Sequence, residues 1–123
     1  MPLILVMAGG ALGAGARHLV GRATLVWLGV GFPYGTLTVN ILGGLAMGLL
    51  VGVFARVGAI EGWRLFAGVG VLGGFTTFSS FSLDVVNLYE RGAIAVALGY
   101  ILVSVVGSIL ALFAGLALVR AVA

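Results

Sequence analysis

A chain of 123 residues that is 63% hydrophobic and only 7% charged does not fold as a small soluble domain, because such a domain draws roughly a quarter of its residues from the charged types to cover its surface. Lipid must therefore be its outer solvent. The net charge of +3 comes from six arginines against three acids, with no basic stripe to serve a nucleic acid, and the lack of cysteine excludes disulfides and thiolate chemistry.

A helix needs about 20 apolar residues to cross the hydrocarbon core. The first such run spans residues 3–22 and places Arg17 and His18 in its last two turns. It lacks the basic leader of a secretory signal, so it reads as a retained helix. Gly29 to Pro33 reads as a turn, and the uncharged stretch after it predicts a second span over residues 34–55. Arg56, Gly58, Glu61, Gly62 and Arg64 mark a short loop. A third span over residues 65–89 closes at Glu90, Arg91 and Gly92, and a fourth over residues 93–119 ends before Arg120. The chain is thus an all-α membrane protein: one domain of four transmembrane helices with both termini on the same side.

The third span is not uniform. Gly73-Gly74 precedes the run Phe75-Thr76-Thr77-Phe78-Ser79-Ser80-Phe81-Ser82. Paired glycine raises the entropic cost of a helix, and hydroxyl side chains compete for its backbone hydrogen bonds. A break near residues 73–77 follows, and irregular backbone survives at membrane depth only where protein or a polar cavity surrounds it. Elsewhere Gly44, Gly48 and Gly52 form one small-residue stripe, and Gly107, Ala111 and Gly115 another. Such stripes let helices approach closely, within one chain or between chains.

Short-loop arginines set membrane orientation. Arg56, Arg64 and Arg120 fall on the side of the termini, and Arg17, Arg22 and Arg91 on the other. The balance sets no preference and permits two opposed insertions, hence an antiparallel dimer. The polar residues at membrane depth are Thr36, Thr38, Asn40, the run from Thr76 to Ser82, Ser104 and Ser108. Each is costly in lipid unless it meets a partner or water. Interhelical bonding is the plain alternative for any one Ser or Thr; Asn40 is the stronger functional candidate.

No catalytic set, metal-ligand spacing or phosphate loop accompanies them, and Gly9-Gly10-x-x-Gly13 follows no strand, so an enzyme is excluded. Hydroxyls and amides offer hydrogens that can replace an anion's hydration shell. Phe78 and Phe81 share a face, and aromatic edges carry partial positive charge. These groups suit a small anion, although phenylalanines in membrane helices also simply pack.

The segments Gly35-Thr36-Leu37-Thr38-Val39-Asn40 and Gly73 to Ser82 closely resemble signature segments of the Fluc (CrcB) fluoride channels, as does the run from Gly9 to Arg17. The resemblance implies an antiparallel, dual-topology homodimer in a prokaryotic cell membrane, with two fluoride pores each lined by both subunits. It assigns Asn40, Phe78, Phe81, Ser79, Ser80, Ser82, Tyr100, Ser104 and Ser108 to the fluoride pathway and Arg17 to an aqueous vestibule. It also implies a structural Na+, not transported, held by the backbone carbonyls of Gly73 and Thr76. Ser80 replaces a common Thr and Asp84 a common Glu, which leaves the role of Asp84 open. Export of fluoride, with relief of its toxicity, is the expected function. The rivals are a small multidrug proton antiporter, which needs a carboxylate deep in a helix, and a non-transporting assembly subunit.

Overall fold

The computed structural model describes residues 2–58 and 60–122, and these are helical throughout their length apart from short connections. Helix α1 covers Pro2–Leu28 and α2 covers Tyr34–Val57. Helix α3 joins three stretches: Glu61–Trp63, a wide segment of π geometry over Arg64–Leu72, and Gly73–Phe75. Helices α4, Ser79–Glu90, and α5, Ile94–Ala121, complete the chain. Four helical segments are long and apolar enough to cross a membrane, with α3 and α4 together forming the third. Among the described residues there is no strand, as expected where lipid cannot satisfy an open sheet edge.

Glycine terminates three of these helices. Gly29, Gly58 and Gly92 have φ of +84°, +83° and +82°, a left-handed conformation that closes a helix end at little steric cost only without a Cβ. Helix α1 continues past residue 22 because Ala23 to Leu28 contains neither glycine nor proline to stop it. Arg17 and His18 consequently sit in the helix interior, a correction to their expected place in its last two turns.

The third helix is broken, but through a different device from the one its glycines suggest. Gly73 keeps helical angles, φ −62° and ψ −38°, while Thr76 turns extended, φ −86° and ψ 159°. The irregular stretch is therefore Thr76–Thr77–Phe78, at the C-terminal end of the expected segment. The π segment before it has no counterpart in the sequence reading. There the Gly73 amide lies between the carbonyls of Gly68 and Gly70, a widened winding that is often found at functional sites.

Glycine contacts at two helix pairs hold the bundle. In α2 and α5, a Cβ on Gly44 would come 2.6 Å from the Ser108 carbonyl oxygen, and one on Gly115 would come 2.7 Å from the Leu49 amide. The stripes seen in sequence thus serve packing within one chain. In α1 and α3, a Cβ on Gly13 would lie 2.8 Å from the Phe75 amide, and one on Gly70 would lie 2.9 Å from the Gly9 Cα. The Gly9-Gly10-x-x-Gly13 run, unsuited to nucleotide, is the surface on which α3 rests. Side-chain burial inside the protomer is slight. Phe81, Leu88, Ala97 and Tyr100 form a small cluster between α4 and α5, while most leucines and valines face outward. Near the start of α3 an exposed Arg64–Glu61 ion pair sits on successive turns.

A polar break in the third helix and the clefts beside it

Interrupting a helix frees backbone groups that need partners in the absence of water. Here two neighbouring helices supply them. From α2, Asn40 meets Thr77 twice: its Nδ2 donates to the Thr77 carbonyl at 3.0 Å and its Oδ1 accepts the Thr77 amide at 2.8 Å. From α1, Arg17 Nε donates to the Gly74 carbonyl at 3.2 Å. The break also bonds to itself. The Ser80 amide, in the first turn of α4, donates to Thr77 Oγ1 at 3.2 Å, and Ser82 Oγ donates to the Phe78 carbonyl at 2.9 Å. The carbonyls of Gly73 and Thr76 accept no backbone hydrogen bond among the described residues.

Two clefts flank this joint. The first, of about 540 Å³, is mixed in character: Arg17, His18, Arg22, Arg91 and Asp84 line it together with Thr77, Ser80 and apolar residues such as Leu25 and Phe32. The second, of about 450 Å³, is mostly apolar and is lined by Asn40, Thr77, Phe78, Phe81, Ser104 and Ser108. Thr77 borders both. The second cleft holds amide and hydroxyl groups and no ionisable side chain. The Ser104 hydroxyl is buried and, among the described residues, makes no hydrogen bond of normal geometry, although the Tyr100 hydroxyl lies within its reach.

Aromatic rings link the two clefts. Phe78 and Phe81 have centroids 5.4 Å apart, Phe81 and Tyr100 5.2 Å, and Tyr100 and Phe32 5.4 Å in an edge-to-face pair. Phe32 and Tyr34, on the wall of the first cleft, lie 5.0 Å apart. Phe81 is buried, whereas Phe78 is 75% exposed on the outside of the protomer.

The expected site residues therefore divide. Asn40, Phe78, Phe81, Ser104 and Ser108 share the second cleft, and Arg17 and Ser80 line the first. Ser79 and Ser82 lie outside both clefts, exposed, with Ser79 Oγ 3.3 Å from Thr77 Oγ1. Tyr100 is buried between the clefts and its hydroxyl donates to Asp84 Oδ2 at 3.0 Å. Gly73 and Thr76 border the second cleft. Thr77 lies within the expected polar run and break, without its pairing to Asn40, and the bond from Tyr100 to Asp84, 16 residues away, was not foreseen.

These features define an integral membrane protein whose polar groups converge on one interrupted helix, with Asp84 in the first cleft and no carboxylate in the second. The description CrcB-like protein, Camphor Resistance (CrcB), matches residues 4–116. The fluoride-specific ion channel FluC of Sphingopyxis alaskensis is 60% identical over 119 residues, 96% of this chain and 94% of that protein. Those of Phenylobacterium zucineum and Rhodopseudomonas palustris are 57% and 50% identical, covering 98% and 99% of this chain and 96% and 99% of their own lengths. The chain belongs to the CrcB family and is a multi-pass protein of the cell membrane, not an enzyme.

Proposed function

We propose that the protein is a passive, fluoride-selective channel that works as an antiparallel homodimer with two pathways and releases the anion from the cytoplasm. The observation that carries this reading is the second cleft. It combines a buried hydroxyl, a fixed amide and an exposed phenyl ring at membrane depth, in a protein whose close relatives bear the name fluoride-specific ion channel. The first cleft supplies the way in. Its arginines concentrate anions at the mouth, and Thr77, common to both clefts, marks the passage inward. Inside, the Ser104 and Ser108 hydroxyls and the ring edges of Phe78 and Phe81 replace the hydration shell. Ser80 in the first cleft and Tyr100 beside Phe81 continue the polar track, and Ser79 and Ser82, exposed outside both clefts, join it only where a second copy covers them. Asn40 holds the break in place and keeps one N–H free to face the path, since only one of its two amide hydrogens is engaged.

Dimerisation follows from where this cleft opens. Phe78, Val105 and Ile109 on its rim are exposed at 75%, 44% and 53%, so the amide and hydroxyls behind them would face lipid in a lone protomer, at a cost that a covering second copy removes. The even balance of arginines fits opposed insertion. The carbonyls of Gly73 and Thr76, free of backbone bonds and beside the cleft, are the hard oxygen donors a sodium ion takes. Held there, the ion would pin the two breaks together as a structural charge.

Reconstitution in liposomes tests the proposal. Electrodes should record rapid fluoride loss with chloride retained, at a rate set by the imposed potential and not by a proton gradient. Fluoride loss no faster than from empty vesicles, or equal passage of chloride, refutes it.

A further inference from the structure

The first cleft, of about 540 Å³, is far larger than a single halide needs, and concentrating halides at a mouth requires positive charge but not several guanidinium forks facing one cavity. Arg17, His18 and Arg22 bring three basic groups from α1, and Arg91 brings a fourth from the turn after α4. His18 and Arg22 are one turn apart and so share a helix face. Against them stands one carboxylate, Asp84, which already accepts the Tyr100 hydroxyl at 3.0 Å. Arg17 Nε is committed to the Gly74 carbonyl, and Arg91 Nη2 donates to the Gly31 carbonyl at 3.3 Å, which fixes both guanidinium groups while leaving other N–H donors on each. Arg22 makes no ion pair among the described residues. Asn87 and Thr36 add neutral polar groups to the wall.

We propose that this cleft is a binding site for a phosphate-type oxyanion, either free phosphate or the phosphate of a lipid headgroup. The inference rests on the channel reading only for its effect on flux. Guanidinium forks match the paired oxygens of a phosphate in a way a round halide cannot exploit. A volume of about 540 Å³ admits such a group with its water. Trp27 is 84% exposed on the last turn of α1, the helix that also lines one side of the cleft, and it is the kind of ring that sits at headgroup level. Leu25, Val30 and Phe32 on its wall offer an apolar flank for a lipid's first carbons. An occupant here would stand in the mouth of the pathway and slow fluoride without entering the narrow cleft.

The test uses the full-length protein and its Arg22→Gln variant. In detergent, the phosphorus-31 NMR resonance of inorganic phosphate should broaden with the wild type, and the affinity should fall by about tenfold in Arg22→Gln, the loss of one charge-assisted bond. In proteoliposomes, millimolar phosphate should slow fluoride efflux where equal ionic strength as chloride does not. If the source is lipid, native mass spectrometry should show phospholipid retained on the wild type, stripped by added phosphate and absent from Arg22→Gln. Normal fluoride flux, untouched by phosphate, with neither phosphate nor phospholipid distinguishing the two proteins, overturns the inference. Absence of fluoride flux refutes the channel reading instead, and the binding measurements still decide this one.

Discussion

Asn40 does two things at once, and its replacement separates them. Asn40→Asp keeps the acceptor for the Thr77 amide but loses the donor to the Thr77 carbonyl, and it sets a negative charge beside an anion path. Fluoride efflux from liposomes should fall by at least about tenfold, equivalent to ~1.4 kcal/mol at the barrier; undiminished flux from a folded protein would show that Asn40 does not border the path. Phe78 is the converse case. Because it is 75% exposed, Phe78→Ile should change protomer stability by less than about 0.5 kcal/mol, yet an aliphatic group has no positive edge, so efflux should drop while gel-filtration behaviour and thermal unfolding stay as in the wild type. The sequence marks Asn40 and the phenylalanine pair as unusual for their depth. It does not reveal that both ends of the Asn40 amide grip the chain 37 residues away, since that pairing exists only once α2 lies against the break.

Among the elements, the glycine spacing of α2 and α5 is legible because small residues four apart share one helix face. The structure places that face against a backbone. A Cβ on Gly48 would fall on the Leu112 carbonyl, so Gly48→Leu should cost about 1–3 kcal/mol through forced separation of the helices. A lowered unfolding temperature in detergent is the measurement, and an unchanged one would mean the two helices are not in contact there. The winding of α3 is less legible. Its glycines suggest weakness at residues 73–74, but Gly73 stays helical and Thr76 departs instead. The difference has a physical cause: Asn40, Arg17 and the Thr77 hydroxyl each offer replacement bonds to residues 74–80, whereas the Leu72 carbonyl upstream takes its side-chain bond from Thr76 within the same helix. The π segment is likewise invisible in sequence, since close contact of Gly9 and Gly13 with Gly70 and Val71 is a property of two helices together.

For the whole molecule, the four-span plan is written in composition and needs no motif, whereas the assembly is not. If sodium bridges two copies through Gly73 and Thr76, exchange into a sodium-free buffer with a large organic cation should lower the unfolding temperature of the dimer, and restored sodium should reverse it; identical melting in both buffers would remove the ion from the account. A wider consequence follows from the outward opening of the Asn40 cleft. On the proposed pairing, each conduit is walled partly by a neighbour, so a cell that expresses one sound and one damaged gene equally assembles about half of its dimers as mixed pairs and only about a quarter as fully sound ones. A lesion at Phe78 would then behave as a dominant allele in a fluoride-challenged culture, whereas a lesion that only prevents folding would be recessive.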